Sequence, residues 1–233
     1  MQIGLYNKPK FRLAGDRGLL VEYGDGISLP VNNKVRAMAM LLEQRFPDGI
    51  TEIIPTYRSL LLIYDPMTTN PDALKGTITE LEERIEEITI PPSKIVEIPV
   101  CYGDDLGPDI GFVAESHGLS IDEVITIHTS SDYPIYMIGF TPGFCFLGGL
   151  SENLHTPRLE TPRTVVPEGS VGIANAQTGM YPVQSPGGWR LIGRTPLKLF
   201  APERKDPFLY RTGDLIRFIP INRNEYDKIV IER

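Results

Sequence analysis

The sequence predicts an α+β protein of two domains, a two-layer α/β sandwich over residues 1–90 followed by a β-barrel over residues 91–233. Three observations carry that reading. In the N-terminal part, β-rich runs and helical periodicities come in the order strand, strand, helix, strand, strand, helix. The pair Pro91-Pro92 then breaks the pattern, because it cannot continue a helix and holds the next segment extended. Beyond Phe140, many short apolar runs alternate with Gly- and Pro-rich turns, the spacing of a closed or nearly closed barrel.

Local signals justify the N-terminal elements in turn. FRLAGDRGLLVEYGDGI holds two apolar runs around Gly15-Asp16-Arg17-Gly18 and ends at Gly24-Asp25-Gly26, a hairpin of edge or near-edge strands. Pro30 suits a first helical turn. Val31, Val35, Met38, Leu42 and Phe46 then recur at helical steps, giving an amphipathic helix stopped by Pro47 and Gly49. GITEIIP and SLLLIYD form a second hairpin about Thr56-Tyr57-Arg58, its second strand apolar enough to be buried on both faces. Asn70-Pro71-Asp72 supplies a cap, a first-turn proline and an acid for a second helix. That helix turns Leu74, Ile78, Leu81, Ile85 and Ile88 inward and Glu80, Glu82, Glu83, Arg84, Glu86 and Glu87 out to water. Two helices on one face of a small antiparallel sheet give a ferredoxin-like layout.

KIVEIPVCYG alternates as a strand and opens the second domain. Gly107-Pro108-Asp109 starts a short helix ending at Gly118. Ser120 with Glu123 forms a capping box, with Leu119 as its staple, for a helix reaching Ile127 or His128. His117 and His128 read as polar residues near helix ends that meet the last carbonyls. YPIYMIGF is a strand. Others are expected around Val165-Val166, Ser170 to Ala174, Met180 to Val183, Trp189 to Ile192, Leu197 to Phe200, Asp214 to Ile219 and Lys228 to Ile231.

Composition narrows the function. A net charge of −7 argues against nucleic acid, whose phosphates need a positive footprint. No stretch approaches the ~18 consecutive apolar residues of a membrane span, and MQIGLYNKPK is not followed by a signal-peptide core, so a soluble cytoplasmic protein is expected. Cys101 and Cys145 are too few for a disulfide framework and are expected to be reduced. His117, His128 and His155 are scattered and no Cys or His pair has zinc spacing, so no metal site is expected. The GxxxxGK[ST] phosphate loop is absent, and GFTPGFCFLGG lacks Rossmann spacing.

Gly, Pro, Thr, Gln and the single Trp189 concentrate between Tyr136 and Pro196, where loops of fixed shape are being specified. Polar side chains gather in those loops: His155, Arg158, Arg163, Gln177, Thr178, Tyr181 and Arg194 all fall in predicted turns or at strand ends, where they can converge on a small ligand. Each has a plainer reading. His155 can cap a turn with Thr156-Pro157, Arg158 and Arg163 can form a surface ion-pair cluster with Glu160, and Gln177-Thr178-Gly179 can be a simple turn. Tyr181 and Trp189 suit barrel walls with polar tips, and Arg194 suits a rim charge.

The run GFTPGFCFLGGL, LHTPR and PRTVVPEGSVGIANAQTGMYPVQSPGGWRLIGRTP resembles the family that contains the B subunit of 5-oxoprolinase, the kinase inhibitor of sporulation signalling and the first subunit of allophanate hydrolase. The resemblance reaches from the N-terminal α+β segment to GDLIRFIP. It implies that the barrel is cyclophilin-like, though fold alone confers no isomerase activity. It also implies one component of an ATP-dependent enzyme that opens the lactam of 5-oxoproline to L-glutamate together with its A and C subunits, inactive without them. ATP would then bind at a site shared with one of those partners. For that task His155 and Gln177 are the catalytic candidates, a proton shuttle and a donor and acceptor for the lactam amide. Arg158, Thr178, Tyr181 and Arg194 are the substrate-binding candidates, an arginine holding the carboxylate. Cys145-Phe146 stands where the family commonly has Pro-Tyr, so Cys145 reads as a small apolar filler. The resemblance leaves two alternatives, a regulator that binds and inhibits a sensor histidine kinase and half of a carboxyltransferase-like module of the urea carboxylase kind.

Overall fold

The computed structural model describes residues 4–232 and divides into two compact units, Met1–Pro92 and Ser93–Arg233. In the first, β1 (Leu5–Leu13), β2 (Gly18–Gly24), β3 (Ile50–Pro55) and β4 (Ser59–Tyr64) form an antiparallel sheet in the order β1-β2-β4-β3. Helices α1 (Leu29–Arg45) and α2 (Pro71–Glu82) share one core with it. Moving β1 to the end of this element order yields the strand, helix, strand, strand, helix, strand sequence of the ferredoxin-like motif, so the layout is a circular permutation of that motif.

Period-two alternation brings Leu19, Val21 and Tyr23 of β2 and Leu60, Leu62 and Tyr64 of β4 to the helix side, against Val31, Val35, Met38 and Leu42 of α1 and Leu74, Ile78 and Leu81 of α2. Asn70 caps α2 as its sequence predicts, Oδ1 accepting from the N–H groups of Asp72 (3.1 Å) and Ala73 (3.0 Å). The helical stripes are shorter than expected. The backbone turns left-handed at Phe46 (φ 35°), leaving that ring exposed and the α1 stripe ending at Leu42. Helix α2 stops at Glu82 and a single 3-10 turn at Ile85–Glu87 follows, with Ile85 and Ile88 only partly buried. Glu82 does not face water: its Oε2 pairs with Lys34 Nζ at 2.8 Å. Strand β4 is fully buried on one face only, Leu61 and Ile63 being half-buried.

In the second unit, β5 (Ile95–Tyr102), β6 (Asp132–Ile138), β7 (Cys145–Leu147), β9 (Ser170–Ala174), β10 (Gln177–Met180), β12 (Arg190–Arg194) and β13 (Leu215–Pro220) close into a barrel in the order β10-β7-β6-β13-β5-β12-β9. Strands β5 and β13 run parallel and the other pairs antiparallel. Ile98, Val100, Ile135, Leu147, Val171, Ile173, Ile192 and Phe218 fill the core. Strands β8 (Arg163–Val166) and β11 (Ser185–Gly187) form a separate ribbon. Helices α3 (Ile110–His117) and α4 (Ile121–Thr129) sit against the barrel, α4 opening with the expected capping box of Ser120 and Glu123.

Four local expectations change. Lys228 to Ile231 is not a strand but part of α5 (Arg223–Glu232), whose start is fixed by reciprocal bonds between Asn222 and Glu225, N–H to side chain at 2.9 and 3.0 Å. Leu197 to Phe200 contributes only an isolated bridge, Phe200 to Phe208. The strand expected from Met180 begins at Gln177, because the turn after β9 is only Asn175-Ala176; Asn175 takes the left-handed conformation (φ 52°) that asparagine tolerates. The three-residue strands β7 and β11 carry no periodicity of their own to predict them. Cys101 and Cys145 are buried and unpaired. Burial pushes the Cys145 thiol up to about 11, which fits a core filler and not a nucleophile. Among the described residues, no helix is long and apolar enough to cross a membrane and no His, Cys, Asp or Glu group could hold a metal ion.

Candidate functional site

A cleft of about 420 Å³ opens on the second unit, lined by Phe140, Phe144, Phe146, Tyr181 and Trp189, with Pro162, Pro186, Gly187 and Gly188 completing the wall and Arg158 bringing charge. Its volume suits a small molecule, such sites spanning ~300–1,000 Å³. Its floor is a hydrophobic cluster distinct from the barrel core. Phe144 is the hub: its ring meets Tyr181 (5.0 Å), Trp189 (5.4 Å) and Phe140 (5.6 Å) edge to face and Phe146 (4.8 Å) at a tilt. Trp189 lies in a seat made by two glycines. Gly172 and Gly179 are register partners on β9 and β10, and a Cβ on them would approach the tryptophan side chain to 3.2 and 3.0 Å.

The polar groups are held by backbone pins. Arg158 lies two residues after Thr156, whose carbonyl accepts from Asn175 N–H (2.7 Å), and precedes Leu159, whose N–H donates to the Gly188 carbonyl (2.8 Å). Between them Arg190 donates to the Pro157 carbonyl at 3.4 Å. The Arg158 backbone is therefore fixed on both sides while its side chain is exposed, and it makes no ion pair among the described residues. Tyr181 is buried, its phenol near the backbone N–H of Trp189. Burial raises its pKa, partly offset by that N–H and by the charges of Arg158 and Arg163. Gly187 lies against the phenol: a Cβ there would stand 2.4 Å from the hydroxyl oxygen.

Of the predicted residues, Arg158 and Tyr181 meet in the cleft and the rest do not line it. His155 is half-buried and Nε2 donates to the Leu150 carbonyl at 3.1 Å, locking a turn. Gln177 opens β10 opposite Ala174. Arg194 donates to the Glu168 carbonyl at 2.6 Å. Thr178 corrects the expectation most sharply: it is wholly buried, donating to the Gly172 carbonyl (3.0 Å) and bonded to His128 Nε2 (2.9 Å), so no face is left for a substrate. The segments LHTPR and NAQTG do meet, through the Thr156 to Asn175 bridge, but as backbone and not as pocket lips. Arg163 pairs with Asp109 (2.8 Å) and not with Glu160; Asp109 also accepts from Leu191 N–H (2.7 Å), bracing β8 against β12. Neither histidine at the helix ends behaves as expected. His117 bonds Thr156 Oγ1 (3.2 Å), and His128 is fully buried.

The carboxyltransferase domain, subdomain C and D, matches residues 9–210, and the chain belongs to that family. Its relatives include the 5-oxoprolinase B subunit of Bacillus subtilis (strain 168), 43% identical over 222 residues that cover 91% of this chain and 92% of that one. The corresponding B subunit of Escherichia coli O157:H7 is 41% identical over 89% and 94%. Urea amidolyase of Saccharomyces cerevisiae is 28% identical across 95% of this chain, which spans only 14% of that protein. Among solved structures, a conserved uncharacterized protein of Pyrococcus horikoshii is 44% identical over 93% of this chain and 100% of its own, with a TM-score of 0.56. The urea carboxylase of Kluyveromyces lactis shares the fold at a TM-score of 0.77, 23% identity, and 96% and 23% coverage.

Proposed function

We propose that this chain is the B subunit of an ATP-dependent 5-oxoprolinase and opens 5-oxoproline to L-glutamate only together with the A and C subunits as partners. One observation carries the reading: two bacterial relatives named as that component match at above 40% identity along nearly their whole length. The urea amidolyase relatives favour the carboxyltransferase-like alternative less, at 27–28% identity over 14% of their length.

The chemistry supports a divided enzyme. An unstrained lactam is a poor electrophile, so its carbonyl oxygen must be activated, as by phosphorylation, before water attacks. This chain has no phosphate loop, which favours an ATP site completed by a partner. Purified chain mixed with the A and C subunits and ATP is expected to release glutamate from 5-oxoproline, and the chain alone to release none. No release with partners of proven activity, together with inhibition of a sensor histidine kinase's autophosphorylation, would replace this reading with the regulatory one.

A further inference from the structure

We infer that the aromatic cleft is a binding site for a small planar lactam carboxylate, with Arg158 on the carboxylate, Tyr181 donating to the ring carbonyl and the ring lying against the aromatic floor around Trp189. As to substrate class this rests on the function proposed above, but the site itself is argued from geometry.

Three features converge. The walls are flat aromatic faces around a volume of about 420 Å³, which suits a ring and not a chain. Arg158 is pinned through its neighbours, exposed and without an ion pair among the described residues, so its guanidinium can take a carboxylate through two parallel bonds. Tyr181 and Trp189 line the same wall of the cleft, and the Tyr181 phenol is a donor that a ligand can accept from. A ligand carbonyl at this wall would take that proton. The absence of a side chain at Gly187 is what leaves that hydroxyl room. Phe140, in left-handed backbone (φ 72°) and 67% exposed, covers the rim, the kind of strained position that accompanies ligand contacts.

Trp189 is the chain's single tryptophan, so its emission reports the cleft directly. The full-length chain, alone and with its partner subunits, would be titrated with 5-oxoproline, with 2-pyrrolidinone, which lacks the carboxylate, and with cyclopentanecarboxylate, which lacks the lactam. The expected result is a saturable change in emission with 5-oxoproline, and about 10- to 100-fold weaker binding of each analogue. Arg158→Ala should weaken 5-oxoproline to the level of 2-pyrrolidinone, and Tyr181→Phe to that of cyclopentanecarboxylate, each with an unchanged circular dichroism spectrum. Failure of 5-oxoproline to change the emission in either preparation overturns the site, as does undiminished binding by both variants. Binding of this pattern without ATP-dependent glutamate release would sink the proposed function and keep the site. Wild-type glutamate release by both variants would do the reverse.

Discussion

Two polar constellations built on the same barrel strands behave in opposite ways. Beneath α4, every polar atom of the His128 group has its partner. Thr178 donates to the Gly172 carbonyl, so it accepts from His128 Nε2–H, and Nδ1 accepts from Tyr102 at 2.8 Å. The His128 carbonyl takes the Tyr133 hydroxyl at 2.7 Å, and Phe218 stacks on the imidazole at 4.6 Å. In the cleft, by contrast, the exposed Arg158 makes no ion pair among the described residues, and it shares the wall with the Tyr181 phenol. A closed network fixes structure, and an open one waits for a ligand. The two are linked: Thr178 sits beside Gly179 and bonds Gly172, the two glycines that seat Trp189. The closed network thus holds the floor of the open one.

His128→Ala tests that link and should have the largest effect. It leaves the Tyr102 and Thr178 hydroxyls without their partner and a hole beside Phe218, for a cost of about 3–5 kcal/mol. Thermal unfolding is expected roughly 10 °C lower. Trp189 emission should move to the red as its seat loosens. A lower melting temperature with unaltered emission would show the two regions to be independent.

Acid gives the same comparison without mutation. Burial depresses His128 from 6.5 to about 3 in the folded chain. Between those values the unfolded chain holds the proton and the folded chain does not, so stability falls as pH falls through this window, by up to about 1.4 kcal/mol per pH unit from this group. Denaturant titrations from neutral pH to pH 4 should show that slope in the wild type and a shallower one in His128→Gln. Parallel slopes would assign the acid sensitivity elsewhere.

Gly187→Ala perturbs the open region alone. Its Cβ would meet the Tyr181 hydroxyl at 2.4 Å and two ring carbons at 2.8 Å, and the ring is held by Phe144. The phenol must shift, at about 1–3 kcal/mol. The melting temperature should drop by a few degrees and 5-oxoproline binding should fall out of proportion to it. Equal, modest losses in both would mean that the hydroxyl is not a ligand contact.

How far these regions could be read in advance follows from how local their signals are. Helix caps at Asn70 and Ser120, the breaker at Gly118 and the alternation of β5 are written within a few residues, and the structure repeats them. The reciprocal Asn222 and Glu225 cap was equally local, but the β-branched run behind it suggested a strand. Arg158 and Tyr181 stood out as polar residues in a Gly- and Pro-rich stretch. The aromatic cleft did not, since Phe140 ends a predicted strand while Phe144 and Phe146 lie in the Gly-rich GFTPGFCFLGG, which carries no periodicity to aim their rings. Their assembly needs the β8 and β11 ribbon and the Gly172 to Gly179 register, both set by long-range pairing. Thr178 and His128 were misplaced for one reason: neither a strand start nor a helix end reveals that the two side chains face each other across a barrel wall.

The smallest expected effect probes the rim. Phe140 is a bulky residue at φ 72°, a conformation that costs L residues roughly 1–2 kcal/mol and that asparagine tolerates better. Its ring is two-thirds exposed and touches Phe144 only edge to face, so little burial would be lost on replacing it. Phe140→Asn is therefore expected to raise stability by about 0.5–1 kcal/mol while weakening 5-oxoproline binding, the trade expected where strain is kept for function. Denaturation midpoints and Trp189 titrations on the same preparation measure both. A variant that gains stability with unchanged binding would make Phe140 a strained turn with no part in the cleft. One that loses stability would show the edge contact with Phe144 to outweigh the backbone, joining the rim to the closed part of the molecule.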